Sequence, residues 1–196
     1  MRKWICVPMI TLCLLLNSCS EGRQVGFPEI QSRYQNMSGC RMEAVVVCEQ
    51  EHLEWEAQLA YEYVPKGECV VEVVSPETIA GIKAVFTDEN CRIEYKDLCL
   101  NIGELSAEEI SPVLCLPRMI GALREGWLLE ENAETWGDVP CVRVSLDQTG
   151  ENGNKIVTTV WLKQEDGTPL RGELSVDGEN ILRAEFTDFC FYDTID

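Results

Sequence analysis

Between residues 40 and 63 apolar and polar side chains alternate with a period of two. The even positions from 40 to 48 are Cys40, Met42, Ala44, Val46 and Cys48. The odd positions from 53 to 63 are Leu53, Trp55, Ala57, Leu59, Tyr61 and Tyr63, with Glu54, Glu56, Gln58 and Glu62 between them. Successive strand side chains point to opposite faces, so this pattern predicts two strands, each with one dry face and one wet face. Similar segments recur at 69–74, 82–87, 91–96 and 98–102, and again at 127–130, 141–147, 155–163, 170–176 and 180–186. Turn residues separate them, among them Pro65-Lys66-Gly67, Asp88-Glu89-Asn90, the stretch 149–153, Asp166-Gly167 and Asp177-Gly178. Phe189, Phe191 and Tyr192 read as an aromatic tail beyond the last predicted strand.

Helical spacing is rarer. Residues 28–37 place Ile30, Tyr34 and Met37 on one stripe. Residues 106–110 suit a helical turn, Ser111-Pro112 reads as an N-cap followed by a first-turn proline, and Pro117 opens a helix that Gly126 stops. Leu116, Met119, Ile120 and Leu123 form the apolar face of that helix. About ten strands in consecutive hairpins with one helical interruption predict a mainly β protein: a single curved antiparallel sheet whose concave side the helices cover. Trp55, Leu59 and Tyr61 then face inward and Glu54, Glu56 and Glu62 outward. A two-sheet sandwich is the alternative.

The first residues follow a different logic. Arg2 and Lys3 precede thirteen uncharged residues, Trp4 to Leu16. As a helix that run is about 20 Å long, short of a hydrocarbon core of about 30 Å, so it fits a secretory signal rather than a membrane span. Leu16-Asn17-Ser18-Cys19 resembles the bacterial lipobox. That resemblance implies cleavage between Ser18 and Cys19 and a diacylglyceryl group on the Cys19 thiol. Two acyl chains hold a protein durably on a bilayer where one does not. Residues 1–18 are thus expected to be a signal peptide, 19–27 a lipidated tether and 28–196 the folded domain, anchored on the extracytoplasmic face of the membrane.

Composition narrows the chemistry. The 16 bases and 34 acids give a formal charge of −18; losing Arg2 and Lys3 with the signal leaves 14 bases and a charge of −20. Such a surface repels nucleic acid and anionic headgroups. Of eleven cysteines, Cys6, Cys13 and Cys19 belong to the leader and anchor, which leaves eight. Cys40 and Cys48, eight residues apart along one strand, lie about 26 Å from each other and do not pair. Buried free thiols and a disulfide framework both remain open for the set. With no C-x-x-C pair and His52 as the one histidine, neither a zinc site nor a cofactor is expected. The chain has no phosphate-binding glycine loop, no G-x-S-x-G and no H-E-x-x-H, and its glutamates alternate as a solvated face does, so no enzyme activity is expected.

Taken in order, the lipobox, Val64-Pro65, the segment from Ser75-Pro76 to Ile82, Ile93-Glu94-Tyr95, Ser111-Pro112, Val160-Trp161-Leu162, Thr168-Pro169 and the closing stretch from Gly178 to Phe189 resemble the LolA/LolB-like superfamily of envelope lipoproteins. The likeness is nearest to a Firmicute branch of GerS-type germination lipoproteins. It implies a half-open barrel of about ten strands under a helical lid, with a concave face that holds acyl chains or stays packed. The residues placed to line it are Trp55, Leu59, Tyr61, Tyr63, Phe86 and Tyr95 from the sheet and Leu116, Met119, Ile120 and Leu123 from the lid. Each also reads as plain core. Two roles follow: a lipid-binding lipoprotein, or a non-enzymatic docking protein whose partner acts in cell-wall or spore-cortex remodelling.

Overall fold

The computed structural model describes residues 26–50, 53–87, 90–103, 111–148 and 155–192. The leader, Ser18, Cys19, most of the tether, His52, residues 106–110 and the turns at 88–89 and 149–153 lie outside them. Among the described residues the alternating segments become eleven strands: β1 (Cys40–Gln50), β2 (Leu53–Tyr63), β3 (Cys69–Ser75), β4 (Lys83–Phe86), β5 (Cys91–Tyr95), β6 (Leu98–Gly103), β7 (Trp127–Trp136), β8 (Val139–Asp147), β9 (Ile156–Lys163), β10 (Pro169–Val176) and β11 (Glu179–Phe191). All belong to one antiparallel sheet in the order β6-β5-β4-β3-β2-β1-β11-β10-β9-β8-β7, so the sandwich alternative does not apply. The sheet is not closed. Its edges are β6 and β7, neighbours in sequence, while the first and last strands pair at its middle.

Register follows from the alternation. β1 runs against β2 from Cys40 opposite Tyr63 to Gln50 opposite Leu53, which sets Met42, Ala44 and Val46 beside Tyr61, Leu59 and Ala57 on one face. All six are buried, whereas Glu54, Glu56 and Glu62 are exposed on the other. A slip of one residue would exchange the two faces, so burial fixes the pairing.

Several strands exceed their predicted lengths, β11 and β7 most of all. β11 continues through the aromatic tail, because a bulge opposite Glu43 and Ala44 absorbs Thr187. Before it the inward residues are Leu182, Ala184 and Phe186; after it they are Phe189 and Phe191, paired with Met42 and Cys40. The extra residue switches the parity and delivers both rings to the core side. β7 runs six residues past Glu130 to Trp136, and β8 begins at Val139 rather than Cys141. The added residues are mostly exposed on both faces of an edge strand, which removes the alternation that marks a half-buried strand.

Two helices cover the apolar face. α1 (Phe27–Asn36) has Pro28 in its first turn, where the missing N–H has no intrahelical partner in any case. Ile30 and Tyr34 on its stripe are buried as the spacing predicts, and so is Met37, which lies just past the helix end in extended backbone. The Tyr34 hydroxyl donates to the Gly167 carbonyl at 2.8 Å, and its ring meets Phe191 edge-on at 5.2 Å. α2 (Cys115–Glu125) starts two residues before Pro117 and follows a 3-10 turn at Pro112–Leu114. Pro117 is its third residue, still among the four whose N–H groups no helical carbonyl reaches. The helix stops at Gly126, whose N–H donates to the Ala122 carbonyl at 2.8 Å. A Cβ at Gly126 would stand 2.6 Å from that same oxygen, so no other residue fits there without a shift.

Candidate functional site

α2 lies on the sheet with Leu116, Met119, Ile120 and Leu123 buried against it. It touches β2 and β8 to β11. At Gly172 of β10 the approach is close enough that a Cβ would fall 2.4 Å from the Met119 sulfur. Each of these four side chains contributes about 1.5–3 kcal/mol through removal from water, which is what holds the helix down. Leu59 packs into the same cluster. The five residues therefore form one continuous filling between sheet and helix.

The aromatic residues predicted to share this face are graded. Tyr61 is buried, and desolvation, reinforced by nearby Cys69 and Cys40, pushes its phenol well above the ordinary range. Burial likewise pushes the Cys40 thiol up to about 12. Cys69 donates to the Val64 carbonyl at 3.6 Å. Trp55, Tyr63 and Phe86 are half-buried against the core, and the Arg124 guanidinium sits 5.1 Å from the Tyr63 ring centre. Tyr95 is half-buried under the Lys96 ammonium at 4.9 Å.

Cross-strand pairs carry the same face outward toward the β6 edge. Val71 stands opposite Ala84, Ala84 opposite Ile93, and Ile93 opposite Leu100, while Tyr95 stands opposite Leu98. Exposure rises along this line. Val71 and Ala84 are buried and Ile93 is half-buried, but Leu98, Leu100 and Ile102 are 73%, 66% and 49% exposed. An apolar face that α2 covers over one part of the sheet thus emerges into solvent at β6. The sequence places these three leucine and isoleucine residues on a strand, but their exposure depends on where the helix ends, which no local pattern states.

Other candidates resolve differently. The eight cysteines of the domain, Cys40, Cys48, Cys69, Cys91, Cys99, Cys115, Cys141 and Cys190, are thiols outside any disulfide, and five of them are buried. Among the described residues no group of three or more His, Cys, Asp or Glu side chains could hold a metal ion. The outer face carries an open trough of about 440 Å³ over β1 to β4. Its charges answer one another, Arg41 with Glu43 at 3.3 Å and Lys83 with Glu72 at 3.2 Å. Also outside, Arg171 lies over both Trp136 and Trp161 at 4.9 and 5.4 Å, and Arg143 bridges Glu130 and Glu134 at 3.0 and 2.9 Å. At the start of β7, Trp127 is 82% exposed, with Leu128 and Leu129 beside it at 41% and 50%. Among the described residues no helix is long and apolar enough to cross a membrane.

No protein-family model matches this chain, and no curated protein matches it significantly. Solved structures do resemble it. An uncharacterized conserved protein from Thermus thermophilus superposes with a TM-score of 0.52 at 12% identity, over 85% of this chain and 88% of that one. A LolA superfamily protein from Nitrosomonas europaea gives 0.45 at 9% identity over 87% and 95%. The lipoprotein LppX of Mycobacterium tuberculosis gives 0.45 at 11% identity over 86% and 99%. At such identities the likeness concerns the fold.

Proposed function

We propose that this protein is a membrane-anchored envelope lipoprotein whose concave face binds acyl chains. The observation that carries the reading is the apolar face running from the buried Leu59 and Tyr61, past Phe86 and Ile93, to the exposed Leu98, Leu100 and Ile102. An acyl chain laid along β5 and β6 would cover what α2 leaves open and keep its polar end in water. The filling beneath α2 already stabilises the fold, so the chain meets the protein beside the helix rather than under it. Cleavage after Ser18 and acylation of Cys19 would hold the domain at the extracytoplasmic surface.

The test is a titration with fluorescent fatty acids of increasing length. Affinity is expected to rise by up to roughly fourfold per methylene, then level off once the groove is filled. Leu100→Glu is expected to weaken binding at least tenfold with an unchanged circular dichroism spectrum. Absence of any chain-length dependence overturns the proposal.

Among the described residues no strand pairs with the outer edge of β6, which favours a second reading, a docking protein in cell-wall or spore-cortex remodelling of the GerS type. A partner strand would bond to that edge and seat alternate side chains on Leu98, Leu100 and Ile102. Binding of a partner peptide that survives when fatty acids do not bind selects this reading.

A further inference from the structure

Trp127, Leu128 and Leu129 are consecutive, large, apolar and exposed. In an ordinary half-buried strand every second residue turns inward, so three in a row do not all reach solvent. Here the pairing of β7 with β8 shifts register between Leu128 and Glu130, and the inserted Leu129 breaks the alternation. Runs of this kind are costly to display in water unless something covers them.

The position of the run says what covers it. Gly126, immediately before it, accepts a hydrogen bond from Gln31 of α1 at 3.1 Å. Glu131, just after it, accepts one from the Phe27 N–H at 3.0 Å. The run is thereby clasped at both ends to α1, and the second clasp is at that helix's first residue. The chain preceding α1 leads back to Cys19, seven residues before Gly26, at most about 25 Å of extended backbone. The acids that follow the run are occupied: Glu130 and Glu134 pair with Arg143, and Glu131 with Phe27. Tryptophan with its amphipathic ring favours the interfacial zone of a bilayer, and leucine the acyl region just below it.

We infer that Trp127, Leu128 and Leu129 form a contact with the lipid bilayer that carries the anchor, seating the domain on the membrane with the start of β7 facing down. The inference rests on the anchoring reading above. The contact is hydrophobic rather than electrostatic, since the anchored chain, at net charge −20 without Arg2 and Lys3, gains nothing from anionic headgroups.

The lipid-anchored protein, extracted from its own membrane and reconstituted into phosphatidylcholine vesicles brominated near the headgroup end of the acyl chains, provides the test. Flotation with the vesicles reads the anchor, and quenching of tryptophan emission by bromine reads the contact. Flotation together with quenching that disappears in Trp127→Phe is the expected result. The exposed side chain makes this exchange harmless to the fold, which an unchanged urea midpoint verifies. Flotation with no quenching, or quenching that Trp127→Phe leaves unaltered, overturns the contact and leaves the anchor standing. Protein that fails to float overturns the anchoring reading and the contact with it. Replacing half the lipid by phosphatidylglycerol is expected to reduce quenching; an increase would show that the attraction is electrostatic and overturn the hydrophobic contact.

Discussion

At the scale of single residues, the buried thiols carry a consequence for alkaline stability. Burial pushes the Cys115 thiol up to about 12 from an ordinary value of 9.0, and Cys40 likewise to about 12. Below pH 9.0 both folded and unfolded chains hold these protons, and the full stabilisation is present. Above it the unfolded chain ionises first, so stability falls by about 1.4 kcal/mol per pH unit for each thiol until the folded pKa is reached. The urea midpoint should therefore be level up to about pH 9 and decline beyond it. Cys115→Ala removes one thiol's share of that slope, and an unaltered slope in the variant would contradict the assignment. The buried phenols of Tyr34 and Tyr61 are raised in the same direction and add to the decline at higher pH.

At the scale of elements, α1 is held at its first turn by one carboxylate from a distant edge strand. Glu131 accepts from the Phe27 N–H and places negative charge at the positive end of the helix. Glu131→Ala is expected to cost α1 about 1 kcal/mol, which speeds amide exchange in Phe27–Asn36 roughly fivefold. Exchange in β1 and β11 should not change; equal acceleration throughout would mean that α1 does not open separately from the sheet. The sequence is informative about elements in proportion to their one-sided burial. β2 is readable to its ends because six apolar residues alternate with five others, four of them polar and the fifth the small Ala60, and the stripe on α1 is readable because helical spacing is distinctive. β7 beyond Glu130 is not, since an edge strand wet on both faces has no alternation to detect. The aromatic tail reads as lying beyond the last strand because Thr187 reverses the parity, and a bulge leaves no mark in composition. Of the candidate site, Leu59 and the four lid residues are recognisable as apolar positions. Nothing local distinguishes their closed packing from the open surface at Leu98, Leu100 and Ile102, because that difference depends on where α2 comes to rest.

For the whole molecule, charge is the dominant long-range quantity. With 34 acids against 16 bases the folded chain repels itself, although pairs such as Arg92 with Glu68 at 2.8 Å hold that carboxylate below its usual range. Screening shortens the reach of the repulsion from about 14 Å to about 4 Å between roughly 0.05 and 0.5 M salt. The urea midpoint is expected to rise over that range, and a fall would show that surface ion pairs outweigh net repulsion.

The pairing of β1 with β11 makes the order of synthesis matter. A ribosome delivers Cys40 about 150 residues before Phe191, yet these two residues are direct neighbours at the middle of the sheet. Until β11 arrives, β1 has one companion instead of two, and the halves β1–β6 and β7–β10 lack the strand that joins them. Loss of the whole of β11 would therefore split the molecule down its centre, whereas loss of β6 would only trim a margin.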